Sequence, residues 1–132
     1  MATLRKGKCY SKVKRSYTRR SKYKKRNFIK TAPTNKVIRF DMGELSKKFP
    51  FRVDLVPKQP IQIRHNSLES CRQIINRHLM RLIGTDYYFK IRVYPHHILR
   101  ENKTLTGAGA DRMQTGMQLS FGTPIGIAAQ LK

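Results

Sequence analysis

Histidines 96 and 97 stand side by side just after what reads as the end of a strand. Imidazole is the side chain best suited to acid-base work or transition-metal binding near neutral pH. A zinc site would need further ligands, Cys, Asp or another His, at helical or hairpin spacing, and none stands nearby. Neighbours on an extended chain point to opposite sides, so one histidine of the pair is expected to pack while the other meets a phosphate or a base edge. Glu101 and Asp111 would be the carboxylates for an acid-base set with a histidine, but nothing in the linear order brings them together. The chain therefore reads as a non-enzyme, with a small RNA nuclease using His96 or His97 as the remote catalytic alternative. TGAGAD at 106 to 111 has neither the G-x-G-x-x-G pattern nor the Walker lysine of a nucleotide cradle. Glycine there more naturally permits positive φ or close approach of backbone to RNA, and the helix start that follows offers amides to a phosphate. No cofactor and no metal are expected.

The strongest chemical signal is charge. Lys and Arg number 29 against 7 Asp and Glu, a net charge of +22 in 132 residues. A chain this cationic calls for a polyanionic partner. Residues 1 to 40 hold 15 of the bases and no acid, whereas 41 to 132 hold 14 bases and all 7 acids. In the first 30 positions the cations Arg5, Lys6, Lys8, Lys12, Lys14, Arg15, Arg19, Arg20, Lys22, Lys24, Lys25, Arg26 and Lys30 are interleaved with Tyr10, Tyr17 and Tyr23. Cations supply affinity for a phosphate backbone, and rings stack on bases or riboses. Self-repulsion and the scarcity of large apolar residues predict that this segment is disordered alone and that its removal leaves the rest folded. Residues 1 to 35 thus read as a basic, polyanion-binding extension and 36 to 132 as the folded body.

From Val37 onward the pattern becomes that of a folded domain. Ile38, Phe40 and Met42 alternate with Val37, Arg39 and Asp41, the period of a strand. Phe51, Val53 and Leu55 predict a second strand, Ile61 and Ile63 a third. Asn66 with Glu69 three residues on forms a capping box, and Leu68, Cys71, Ile75, Leu79 and Leu82 make an apolar stripe, so a helix is predicted over 67–83 with Gly84 just past its end. Residues 87–94 read as a strand with a basic outer face, 96–111 as an exposed loop, 111–121 as a second helix opened by Asp111 and Gln114, and 125–131 as a last strand. The class is α+β: two layers, an antiparallel or mixed sheet with both helices on one face, preceded by the irregular basic extension.

Several classes fall away. The longest apolar stretch, 125–129, is far short of the ~20 residues that cross a bilayer. No secretory signal follows the first basic residues, and the Arg-rich start lacks the amphipathic stripe of an organellar transit peptide. Cys9 and Cys71 make no C-x-x-C, which fits a reducing compartment. Without a helix-turn-helix, a finger spacing or a basic zipper, duplex DNA reading is disfavoured, and structured RNA is the expected partner.

The wording of five segments is specific: RKGKCYSKVKRSYTRRSKY from position 5, FDMG at 40 to 43, QIRHNSLESCR at 62 to 72, FKIRVYPHHILRENK at 89 to 103 and TGAGADRMQTGM at 106 to 117. Across nearly the whole chain this resembles the ribosomal protein L ten e family, the archaeal counterpart of bacterial L sixteen, and the HH with RENK wording resembles the archaeal branch. The resemblance implies an α+β component of the large ribosomal subunit, cytoplasmic, seated below the central protuberance near the A and P sites, where it supports tRNA accommodation. It implies that residues 5 to 30 penetrate ribosomal RNA, that Arg64, His65, Lys90, Arg92, His96 and His97 are RNA contacts from the body, and that the loop 100 to 112 approaches tRNA through Arg100, Lys103 and Arg112, with Gly107 and Gly109 giving it freedom. Implied partners are large-subunit ribosomal RNA, tRNA, 5S ribosomal RNA and neighbouring ribosomal proteins, with no membrane. The family chain normally continues past 125–131 with a further strand and helix, so the sheet edge near Leu131 is expected to be covered by RNA or a neighbouring protein. The alternative function is a free RNA chaperone that binds many RNAs without tight placement.

Overall fold

The computed structural model describes residues 5–18, 29, 32–101 and 122–132. In chain order these form a 3₁₀ turn at Gly7–Tyr10, strands β1 Asp41–Gly43 and β2 Ile61–Arg64, helix α1 His65–Ile83, and strands β3 Tyr88–Lys90, β4 His97–Glu101 and β5 Thr123–Leu131. The α+β class holds, and every strand pairing is antiparallel. The single sheet expected from the sequence is instead two: a β1–β3 ribbon and a three-stranded sheet in the order β2-β5-β4. The expected second helix at 111–121 and most of the loop before it lie outside the described residues.

β5 is the centre of the larger sheet, and its run Gly126 to Ala129 is buried without a break. Simple alternation fails there because both faces of the strand are covered. The register explains how. Leu99 lies opposite Gly126, and Ile98 opposite Ile127; since successive side chains alternate, the two pairs belong to opposite faces. On the first face α1 packs against β2 and β5, and a Cβ built on Gly126 would lie 3.8 Å from His65 Nε2 and 3.9 Å from Leu99 Cδ1. On the second, Ile98 and Ile127 form a buried cluster with Ile29, and Tyr17 packs against it. Two residues of the basic extension, Tyr17 and Ile29, therefore contribute to the core on this face. Truncation of residues 1 to 30 would remove Ile29 and Tyr17 from that cluster, so a loss of stability in the body is the expected outcome.

Helix α1 begins two residues earlier than its sequence signals suggest. Arg64 is its N-cap residue and no side chain caps it. Asn66 is already helical, where its side chain cannot reach the first free amides. Glu69 turns to Arg72 and Gln73 instead, accepting from Arg72 Nη2 at 2.6 Å and Gln73 Nε2 at 3.1 Å. The apolar stripe is half-buried at Leu68, Ile75 and Leu79, whereas Cys71 and Leu82 are exposed. Gly84 ends the helix as expected, at φ +70° with its N–H on Met80 O at 3.1 Å.

The β1–β3 ribbon rests on the middle of α1. Buried Tyr87 donates its hydroxyl to Asn76 Oδ1 at 2.6 Å, and Arg72 Nη1 lies 3.1 Å from Met42 Sδ. Gly43 closes the ribbon at φ +86°, where an added Cβ would sit 2.0 Å from Tyr87 O, so the last residue of FDMG has to be glycine. Three strand expectations are corrected. The strand expected from Val37 narrows to β1, and ahead of it Val37 is buried and Ile38 exposed, at 2% and 85%. Residues 51–56 form no strand, and Phe51, Val53 and Leu55 are almost fully exposed, because a period-two pattern yields a strand only where an edge is free to pair. The loop expected from 96 opens instead as β4, which continues through Glu101 with a register shift at Leu99/Arg100. No helix among the described residues is long and apolar enough to cross a membrane.

Candidate RNA-binding surface

The surface is built where the arm, residues 5–18, crosses the outer edge of the sheet. Tyr17 is clasped on its main chain: its N–H donates to His97 Nδ1 at 2.8 Å, and its carbonyl accepts from Ile98 N–H at 3.1 Å. Above its ring lies the Arg100 guanidinium, 3.7 Å from the centroid, a cation-π contact that ties β4 to the arm. Upstream, Ser16 Oγ donates to Gln130 Oε1 at 2.6 Å and lies 3.2 Å from His96 Nε2. Gln130 in turn donates to Gln62 Oε1 at 2.8 Å, and Gln62 donates to Tyr10 O at 2.8 Å. These glutamines of β5 and β2 fasten the arm across the sheet. Further back, Arg64 Nη1 donates to Arg5 O at 2.7 Å, Arg5 pairs with Glu101 at 3.2 Å, and the Tyr10 hydroxyl reaches Arg100 O at 3.4 Å.

This arrangement sorts the arm's residues. Tyr10, Ser16 and Tyr17 turn to the body, while Lys6, Lys8, Lys12, Lys14 and Arg15 are exposed. The result is a ridge of cations that pair with no described carboxylate, suited to a phosphate chain. Tyr17, expected to stack on a base, has one face under Arg100 and a side against the core cluster. Arg19, Arg20, Lys22, Tyr23, Lys24, Lys25 and Arg26 lie outside the described residues, as do Lys103, Gly107, Gly109 and Arg112.

From the body, His96, His97 and Arg100 lie at or just ahead of β4, whereas Arg64 ends β2 on the opposite edge and His65 opens α1 beside it. His65 is 8% exposed, so it meets a partner only inside the cleft beside it. Its pKa is pushed below the ordinary 6.5 by burial and by the charges of Lys36 and Arg64. His97 is likewise lowered, by burial and then by His96 and Arg100, in keeping with Nδ1 accepting the Tyr17 amide. His96 is exposed, so one histidine of the pair packs and the other faces solvent. His97 is engaged through Nδ1 by the Tyr17 amide. Lys90 and Arg92 belong to the region of the other sheet: Lys90 is exposed in β3, 3.5 Å from Asp41, and Arg92 is exposed just beyond. Sequence reasoning missed Ser16, Gln62 and Gln130, whose neutral polar chains carry no signal until β2 and β5 are aligned, and Lys36, the cation beside His65.

Comparison with known proteins gives a consistent family. The family described as ribosomal protein L16p/L10e matches residues 18–132. Among curated relatives, the large ribosomal subunit protein uL16 of Methanococcus maripaludis is 48% identical over 131 residues, covering 98% of this chain and 72% of that protein. Proteins of the same description from Methanosphaerula palustris, 44% identical over 128 residues, and Staphylothermus marinus, 47% identical over 110, cover 96% and 83% of this chain and 70% and 63% of their own length.

Proposed function

The chain belongs to the ribosomal protein L16p/L10e family of the large ribosomal subunit, and on that premise we propose that it is a structural component of the cytoplasmic ribosome that binds ribosomal RNA through the docked basic arm and the margin of β4. The observation that carries this reading is the sorting of the arm, with apolar and neutral polar groups turned to the sheet and five described cations turned outward. A disordered tail would gain its affinity only after meeting the entropy of ordering; a ridge already fixed by Tyr17, Ser16 and Arg5 avoids much of that cost. Arg64, Lys90, Arg92 and His96 act as the body's contacts, with His97 holding the arm and His65 buried behind them, and Arg100 stands at the root of the segment 102–121, which approaches tRNA between the A and P sites and supports its accommodation. The seat lies near the central protuberance, with 5S ribosomal RNA and other ribosomal proteins as neighbours.

The test is co-sedimentation. Tagged full-length chain is expected to travel with large subunits through a moderate-salt gradient at one copy per particle. Recovery only in the free protein fraction would overturn the reading, and equal, unsaturable binding to unrelated RNAs would favour a chaperone.

A further inference from the structure

The β1–β3 ribbon carries an aromatic pair that neither the arm nor β4 uses. Beyond β3 the antiparallel pairing continues, with Ile91 N–H donating to Phe40 O at 2.8 Å. Exposure keeps alternating there: Tyr88, Lys90, Arg92 and Tyr94 are exposed, whereas Phe89, Ile91 and Val93 are half-buried. At the end of this run the Tyr94 ring stacks on the Phe40 ring, with centroids 5.7 Å apart and planes inclined at 27°. We propose that the outer face of Tyr94 is a stacking platform for one unpaired base of an RNA strand, with Arg39 and Arg92 taking the phosphates on either side. The inference rests on the RNA-binding reading above and adds a property that a cationic arm cannot supply, a preference for single-stranded over paired RNA.

Three observations carry it. One side of the Tyr94 ring is covered by Phe40, yet the residue is 59% exposed, so its other side is open. An exposed tyrosine alone is ordinary. Here the ring behind it is half-buried and belongs to a residue whose carbonyl is bonded into the ribbon, so the platform is held in place and a base that stacks on it forfeits little side-chain freedom. Next, cations flank the pair. Arg39 precedes Phe40, and Arg92 stands two residues before Tyr94, ~6.6 Å along an extended chain; both are exposed, and no described carboxylate is within ion-pair distance of either. Asp41, the acid of the ribbon, is engaged by the Tyr88 hydroxyl at 2.7 Å and by Lys90 at 3.5 Å. Finally, the chemistry selects the ligand. Every base has a π face that can stack on tyrosine, but in a paired A-form helix those faces are shut inside the stack and the deep, narrow major groove admits no side chain. Only a splayed base reaches Tyr94, whereas a ridge of lysines reads the phosphates of paired and unpaired RNA alike.

The experiment titrates the full chain with three labelled RNAs: an unstructured oligoribonucleotide, the same strand paired with its complement, and a strand of equal length with abasic sugars in place of nucleotides' bases. Fluorescence anisotropy gives the affinities, and NMR of the Tyr94 ring protons reports stacking. Tyr94→Ala is expected to weaken binding of the unstructured strand about 5- to 150-fold, the range for one base on an aromatic ring. Paired and abasic RNA should bind it as they bind the parent, and the salt slope should not change, because no cation is lost. Tyr94→Phe keeps the ring and should match the parent. Arg92→Ala should weaken the unstructured and abasic strands alike and lower their salt slopes by about 1. In the parent chain the unstructured strand should move the Tyr94 ring resonances upfield and the abasic strand should not, a readout that stands even where Tyr94→Ala fails to fold. An unchanged affinity in Tyr94→Ala, an equal loss for paired and unpaired RNA, or an equal ring response to the abasic strand overturns the platform and leaves RNA binding by the arm intact. Failure of every RNA to bind, together with failure to co-sediment, overturns the functional reading itself.

Discussion

Replacing Ile29 with alanine tests whether the basic arm is part of the fold. Ile29 is 3% exposed and closes a cluster with Ile98 and Ile127, at 2% and 5%. The substitution deletes the three outer carbons of the side chain, about 2.4 kcal/mol at ~0.8 per buried carbon, and the cavity left behind brings the expected loss to roughly 2–5 kcal/mol. Against a total stability of about 5–15 kcal/mol this is a large share, and in a domain of this size it lowers Tm by on the order of 10 °C or more. Urea unfolding of the full chain, followed by circular dichroism, measures it directly. Val53→Ala is the control: that side chain is 96% exposed, and its truncation should stay within about 0.5 kcal/mol of the parent. Hydrogen exchange adds a local readout, since the Tyr17 and Ile98 amides are held by the docked arm and should lose protection first. An Ile29→Ala chain as stable as the Val53→Ala chain would refute the claim that the arm completes the core, and with it the expectation that deleting residues 1 to 30 destabilises the body.

Stability should also fall with acid in a defined window. His97 and His65 have folded-state pKa values below the ordinary 6.5, through burial first and neighbouring cations second, so below 6.5 the unfolded chain binds more protons than the folded one; stability is full above that pH and declines as pH drops toward the folded-state values. Urea titrations at about pH 7.5 and 5.5 should show this, and a flat profile would count against a neutral His97 holding Tyr17. Gly43→Ala should cost about 3 kcal/mol or more, combining positive φ with a Cβ placed 2.0 Å from Tyr87 O. Gly84→Ala, at φ +70° with nothing within 4 Å, should cost only about 1–2 kcal/mol; equal losses in the two variants would disprove the close approach at Gly43. RNA affinity should drop about 10³- to 10⁵-fold between 50 and 200 mM salt if 6–10 phosphates are neutralised, and a salt-independent constant would exclude the ridge as the binding face.

Much of this architecture is legible in the residues. The helix is visible because Leu68, Ile75 and Leu79 repeat on one face and Gly84 stops them, and the family is visible in FDMG and FKIRVYPHHILRENK. What escapes is whatever depends on partners distant in sequence. Phe51, Val53 and Leu55 alternate as well as any strand, yet alternation states only that one side wants cover and not that a neighbouring edge is available. Val37 and Ile38 lie ahead of β1, so its alternation, which Phe40 and Met42 still follow, does not set which of the two is buried. The stack of Tyr94 on Phe40 escapes because the two rings meet only once β1 has paired with β3.

The arm is the instructive case. Summed over forty residues its charge predicts disorder, because composition treats every position as equivalent. In the fold the positions are not equivalent: Ile29 enters the core, Tyr17 is clasped by His97 and Ile98, and Arg5 finds Glu101. A few anchors suffice, since each is bonded or buried while the lysines between them stay in water, where ~8–10 Å of screening mutes their repulsion. The same repulsion that makes the ridge costly is what a phosphate chain relieves, so binding RNA should stabilise the docked arm rather than create it.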